Sequence, residues 1–150
     1  MSDLKSHLQD VVKNTTALGI DLVKINGTKD KTSYEAIAED RTLIMHAESS
    51  DPIPEFIGTF GMPNLSKLNT ILGIPEYKEE AQITLKTQVR NDETIPVGLH
   101  FENKAGDFES DYRFMSQEIV SDKLKSVKFK GVKWNVEFSP TVTNINRLNY

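Results

Sequence analysis

The sequence predicts an α+β fold in which short helices cover antiparallel sheets. Three observations predict this class. Apolar residues recur at helical spacing in two short segments, they alternate with polar residues in several others, and turn-forming residues separate these segments by only a few positions. The short turns between the predicted strands indicate an antiparallel meander.

The first element is predicted to be an amphipathic helix over residues 3–18. Ser2 and Asp3 are suitable residues for a helix start, and Gly19 is suitable for its end. Its apolar residues recur at helical spacing and predict the buried face. They are Leu4, Leu8, Val11, Val12 and Leu18.

Four strands and a second helix are predicted next. The segments 20–26, 33–39 and 42–47 have strand composition, and the run EFIGTFG at 55–61 predicts a fourth strand. Pro63 and Asn64 then open a short helix that ends at Gly73. Its apolar stripe is Leu65, Leu68, Ile71 and Leu72.

Residues 83–89 and 95–101 alternate with period two and are separated by the turn-forming sequence RNDE, so they predict a hairpin. A further extended segment places Asp107, Glu109 and Asp111 on one face. A solvent-facing strand is the favoured interpretation of these carboxylates, and a divalent-metal site is the alternative.

The last segment is predicted to be a strand that leads into a third helix. The alternation that starts at Val127 changes phase at Gly131, as expected for a bulge or a bend, and continues to Phe138. Ser139 then suits an N-cap, and Pro140 suits the first helical position.

Composition and missing motifs exclude several functions. The 150-residue chain contains no cysteine, so disulfides, thiolate zinc sites and cysteine nucleophiles are excluded. It contains no apolar run long enough to span a bilayer and no signal peptide, so we expect a cytoplasmic protein without a membrane partner. Three isolated histidines and the absence of common catalytic or nucleotide motifs lead us to expect neither an enzyme nor a cofactor or metal.

The net charge of -4 argues against nucleic-acid binding by the whole surface, but not by one face. Lys5 and Lys13 lie on the predicted outer face of the first helix, Lys67 lies on that of the second, and Arg147 lies on the third. These faces carry almost no acid, which suits loose contact with phosphates, although chance is the rival explanation. A second basic cluster is interpreted as a solvated or edge-protecting strand in preference to a DNA contact. It comprises Lys123, Lys125, Lys128, Lys130 and Lys133.

Three stretches of this sequence resemble DNA sliding clamps, the polymerase processivity factors of T-even-type phages and their marine cyanophage relatives. EFIGTFGMPNLSKLNTIL at 55–72 resembles the strand that leads through a turn into a leucine-rich inner helix. LQDVVKNTTAL at 8–18 is similar to the first inner helix. KWNVEFSPTVTNINRLN at 133–149 resembles the entry into the second domain.

The resemblance implies a fold of the DNA-clamp (processivity-fold) type, with a first domain over residues 1–126 and an incomplete second domain over residues 127–150. It implies a ring, trimeric in this lineage, in the cytoplasm of an infected host cell. Lys5, Lys13, Lys67 and Arg147 would face the phosphates of double-stranded DNA. The implied partners are a DNA polymerase, whose terminal peptide docks in an outer pocket, and an ATP-driven clamp loader. The chain departs from the family by being shorter than a two-domain clamp.

Two other function classes stay open at this point. One is a small protein-interaction module that binds a partner through an edge strand and does not touch DNA. The other is a metal-dependent enzyme that uses Asp107, Glu109 and Asp111.

Overall fold

The computed structural model describes residues 4–78, 81–90, 92–125, 131 and 133–148. These residues form two antiparallel sheets and several short helices, which confirms the predicted α+β class. The elements are α1 (Leu4–Ala17), β1 (Leu22–Gly27), β2 (Thr32–Ile37), β3 (Ile44–Glu48), β4 (Gly58–Pro63), α2 (Leu65–Leu72), a 3-10 helix (Pro75–Tyr77), β5 (Gln82–Arg90), β6 (Glu93–Glu102), β7 (Glu109–Arg113), α3 (Gln117–Lys123) and α4 (Val142–Arg147).

The first sheet has the strand order β3-β2-β1-β4. Its central strand β1 alternates strictly between buried and half-buried residues, so one face of the sheet carries the core. On this face Ile25 lies between Tyr34 of β2 and Phe60 of β4. The segments of strand composition therefore form a sheet with one apolar face.

The second sheet has the order β5-β6-β7, with a register shift at Lys86 and Thr87. Among the described residues, one isolated antiparallel bridge joins the segment after β7 to the first sheet. The Gly61 N–H donates to the Met115 carbonyl at 2.9 Å, and the Met115 N–H donates to the Gly61 carbonyl at 2.7 Å. Buried residues of both sheets and of α1 and α2 belong to one continuous hydrophobic core.

The described part of the chain repeats one arrangement. A helix is followed by three antiparallel strands in α1-β1-β2-β3, and again in α2-β5-β6-β7. The two helices pack against each other, and each contributes fully buried leucines, Leu8 from α1 and Leu68 from α2. Two similar units therefore share one core through their helices.

The helix α3 covers the opposite face of the first sheet. Gly61 lies between the core residues Phe60 and Met62 and so faces away from the core. A Cβ built on Gly61 would lie 2.7 Å from a methyl carbon of Val120, which is fully buried. Glycine at position 61 therefore allows α3 to lie directly on β4.

Several boundaries differ from the sequence predictions. The strand predicted over 55–61 is β4, and it begins only at Gly58. The Phe56 N–H donates to the Ile53 carbonyl in a turn, and the buried Phe56 ring anchors this turn in the core. Leu18, which was expected to be buried, follows the last turn of α1 and is exposed.

The helix α3 was not predicted, because its sequence QEIVSDK buries only Val120 and shows no apolar periodicity. The strand predicted from Val127 to Phe138 is wrong over residues 133–138, which form no strand, and residues 126–130 and 132 lie outside the described residues. Without a neighbouring strand, the alternating residues Trp134, Val136 and Phe138 stay exposed.

The predicted start of the third helix is two residues too early. The N-cap of α4 is Thr141, whose hydroxyl accepts a hydrogen bond from the Asn144 N–H at 3.3 Å, and not Ser139. The division at residues 126 and 127 falls beside undescribed residues and stays a prediction. No helix in the described ranges is long and apolar enough to cross a membrane.

Candidate nucleic-acid interface

Contacts at both ends show that α1 and α2 run antiparallel to each other. Lys5, in the first turn of α1, reaches the 3-10 helix that follows α2, where it donates to the carbonyls of Tyr77 and Lys78. At the other end, Asp21, four residues after α1 ends, contacts the first turn of α2. The end of α1 and the start of α2 therefore lie together.

The start of α2 is capped from a distant part of the sequence. Asn64 adopts a left-handed conformation, with φ 54° and ψ 55°, and its side chain makes no capping hydrogen bond. Instead, the Asp21 carboxylate accepts a hydrogen bond from the Ser66 N–H at 3.1 Å, and the Asp21 carbonyl accepts one from the Leu65 N–H at 3.3 Å. A carboxylate at this position satisfies a free N–H and interacts favourably with the helix dipole.

The structure places the four predicted DNA-facing residues differently. Lys5 is half-buried, and its ammonium binds two carbonyls at the end of the 3-10 helix. Lys13 and Lys67 are exposed, and both lie at the end where α1 finishes and α2 begins. Arg147 is exposed in the last turn of α4. A contact between any of these side chains and DNA stays a prediction.

The outer face of α1 is not free of acid, contrary to the prediction. Asp10 is exposed and lies three residues before Lys13, so both side chains share one side of the helix. The described exposed residues of α2 include Lys67 and no acid, as predicted.

A cleft of about 450 Å³ lies beside the start of α2, and three cations line it. They are Lys67 from α2, Arg113 from the end of β7 and Lys123 from the end of α3. All three are exposed, and none forms an ion pair with another described residue. Apolar side chains also line the cleft, among them Phe114, Met115 and Ile119.

Among the described residues that line this cleft, the one carboxylate is Asp111, which forms an ion pair with Lys86. Asp111 accepts hydrogen bonds from Lys86 at 2.7 and 2.9 Å and lies 2.8 Å from His100 Nδ1. The hydrogen bonds from Lys86 and then from His100 lower the pKa of the Asp111 carboxyl. Lys86 lies opposite Gly98 of β6, and Asp111 lies opposite His100 of the same strand, so this ion pair joins β5 to β7 across β6.

The structure therefore places in one cleft cations that are distant from one another in the sequence. Arg113 was not considered as a DNA contact, because it follows the alternating acidic residues of β7. Lys123 was assigned to a strand, whereas it is the last residue of α3. In the rest of that basic cluster, Lys125 pairs with Asp122 at 3.0 Å and Lys133 is exposed. Lys128 and Lys130 lie outside the described residues.

The carboxylates considered for metal binding have other partners. Asp107 accepts a hydrogen bond from the Asn103 side-chain amide at 2.8 Å, Asp111 binds Lys86, and Glu109 lies 3.7 Å from His100 Nε2. Among the described residues, no group of three or more histidines and carboxylates is arranged to hold a metal ion.

Comparison with known proteins adds no assignment: neither a protein-family model nor a curated protein matches this sequence.

Proposed function

We propose that this protein binds double-stranded DNA through phosphate contacts, without reading base sequence. The observation that carries this proposal is the cleft beside the start of α2, which Lys67, Arg113 and Lys123 line together. Lys13 adds an exposed cation in the second half of α1. None of these side chains forms an ion pair with a described residue, although the chain carries a net charge of -4. Concentrated cations on one face attract phosphates even when the whole protein is acidic.

Within this class, we propose a sliding clamp that encircles DNA and tethers a replicative polymerase. The resemblance to T-even-type phage clamps supports this choice. The repeated helix and three-strand unit supports it as well, because a ring with helices inside and sheets outside requires one recurring unit. On this proposal subunits associate into a trimeric ring, and a clamp loader and the polymerase are further partners. Long, mobile cations suit sliding, since they hold phosphates without fixing a register.

The first experiment measures the salt dependence of duplex binding. Fluorescence anisotropy with a labelled duplex of arbitrary sequence gives the affinity at several salt concentrations. The slope of log affinity against log salt is negative. We expect its magnitude to decrease by about 2 to 3 in the triple variant Lys67→Glu, Arg113→Glu, Lys123→Glu, because each phosphate contact contributes roughly 0.9 to that magnitude. A second duplex of different sequence should bind equally well.

A matched control comes from Lys29, an exposed lysine in the turn at the far end of β1 from Asp21. Lys29→Glu changes the net charge by the same amount as the single variant Lys67→Glu, but it leaves the cleft unchanged. Lys67→Glu should reduce the magnitude of the slope by about 0.9, and Lys29→Glu should leave the slope within experimental error. The proposal is contradicted if the protein does not bind DNA at low salt. It is also contradicted if Lys29→Glu weakens DNA binding as much as the substitutions in the cleft do.

A second candidate function is the protein-interaction module, and one observation favours it. Among the described residues, β5 pairs only with β6, so its other edge is open, and Val89 on this strand is 70% exposed. An open edge with an exposed apolar residue can accept a strand from another protein. This candidate predicts no salt-dependent binding to either duplex.

A further inference from the structure

A second cleft, of about 480 Å³, lies between α1 and the edge strand β3. Its apolar lining includes Val11 on α1, Met45 on β3 and the buried Ile53. The buried ring of Tyr34, from β2, also contributes to the lining. This apolar surface can contact an aliphatic chain.

The charges around this cleft are opposite to those around α2. Asp10, Glu48 and Asp51 line it, and the described lining residues include no lysine and no arginine. Lys31 pairs with Glu48 at 2.5 Å, whereas Asp10 and Asp51 form no ion pair with a lysine or arginine among the described residues. The cleft therefore offers two uncompensated carboxylates beside an apolar surface.

The polar groups inside the cleft do not supply a competing cation. His7 Nε2 is hydrogen-bonded to the Tyr34 hydroxyl, and the two rings lie 5.7 Å apart. Burial lowers the pKa of His7, although Asp10 and Glu55 act in the opposite direction, so the imidazole is mainly neutral at pH 7. Burial raises the pKa of Tyr34, and this effect outweighs the hydrogen bond with Ser49, which lowers it. The Tyr34 hydroxyl therefore stays protonated. A neutral aromatic pair thus lies beside the carboxylates.

We propose that this cleft binds a lysine or arginine side chain from a basic, partly apolar segment of a partner protein. The aliphatic stem would contact Val11, Met45 and Ile53, and the cationic group would lie between Asp10 and Asp51. A cation beside the Tyr34 ring is favourable as well. Nucleic acid does not fit this site, because its phosphates would meet carboxylates. The proposal is independent of DNA binding around α2.

The test uses a short synthetic peptide that alternates leucine and arginine and carries a fluorescent label. We expect the protein to bind it, and to bind a peptide with glutamine in place of arginine at least about tenfold more weakly, since charge-assisted hydrogen bonds dominate such contacts. The double variant Asp10→Asn, Asp51→Asn should weaken arginine-peptide binding by a similar factor. Both side chains are exposed, so the fold is retained.

Two further variants make the test specific. Asp30→Asn removes an exposed carboxylate from the turn between β1 and β2, and it should leave peptide binding unchanged. Asn14→Arg places a cation of the protein itself in the cleft, and it should abolish peptide binding. Equal binding of the arginine and glutamine peptides overturns the proposal. Equal losses in Asp30→Asn and in the double variant overturn it too, because they indicate general charge attraction.

Discussion

At the scale of single residues, exposure separates lysines that the sequence treats alike. Lys5 and Lys13 lie on the same helix and were both expected to face phosphates. Lys5 instead binds two carbonyls at the end of the 3-10 helix, whereas Lys13 is exposed and makes no ion pair with a described residue. The first of these lysines therefore contributes to packing between α1 and the segment after α2.

We predict that Lys5→Met lowers the free energy of unfolding by about 1–2 kcal/mol, because it leaves two carbonyls without their charged donor. Lys13→Met should change it by less than about 0.5 kcal/mol, as is usual for an exposed residue. Urea denaturation of the two variants compares them directly. Equal effects would show that the Lys5 contacts do not stabilise the fold.

The network around Asp111 gives a prediction about pH. Lys86 and His100 lower the pKa of the Asp111 carboxyl in the folded protein. The ionised carboxylate therefore stabilises the fold at pH values above the pKa of Asp111 in the unfolded chain, which is about 4. This stabilisation is lost as the pH falls through the lower pKa of Asp111 in the folded protein. Asp111→Asn should therefore lower the melting temperature at pH 7, and the difference from the natural sequence should narrow below about pH 4. A difference that is constant with pH would contradict this account.

At the scale of elements, two helices depend on residues distant in the sequence. The start of α2 is capped by Asp21, and α3 lies on β4 because position 61 is glycine. Neither dependence follows from the helix sequence alone. This explains why apolar periodicity predicted α2 but not its cap. It missed α3 because that helix buries only Val120 and so shows no periodicity.

We predict that Asp21→Ala lowers the free energy of unfolding by about 0.5–2 kcal/mol, the usual range for losing an N-terminal cap. The matched control is Asp30→Ala in the turn between β1 and β2, which should change it by less than about 0.5 kcal/mol. Chemical denaturation measures both variants. If the two changes are equal, Asp21 does not act as the cap of α2.

The packing of α3 predicts coupling between Gly61 and Val120. Gly61→Ala should cost about 1–3 kcal/mol, since the new Cβ would lie 2.7 Å from a Val120 methyl carbon. The cost should fall in part when Val120→Ala is already present, because the methyl carbon is then gone while the Cβ of residue 120 stays 2.9 Å from the new Cβ. A double-mutant cycle measures this coupling, and strictly additive effects would contradict the close contact.

At the scale of the whole molecule, local patterns predicted most elements, whereas long-range arrangement came from the structure. Helical spacing with glycine stops predicted α1 and α2, strand composition predicted the strands of the first sheet, and alternation predicted those of the second. The same alternation failed over residues 133–138, where no described strand is adjacent. Nothing in the sequence related Arg113 to Lys67, which lie 46 positions apart and come together only when β7 meets α2.

The cations at the shared end of α1 and α2 are central to the proposed function, and lysine footprinting tests them most directly. The protein is acetylated with and without duplex DNA at low salt, and mass spectrometry gives the reactivity of each lysine. We predict that DNA protects Lys13, Lys67 and Lys123 and leaves Lys29 as reactive as before. Protection that is absent, or that is equal at Lys29 and at the three lysines near α2, would contradict the proposed DNA-binding face.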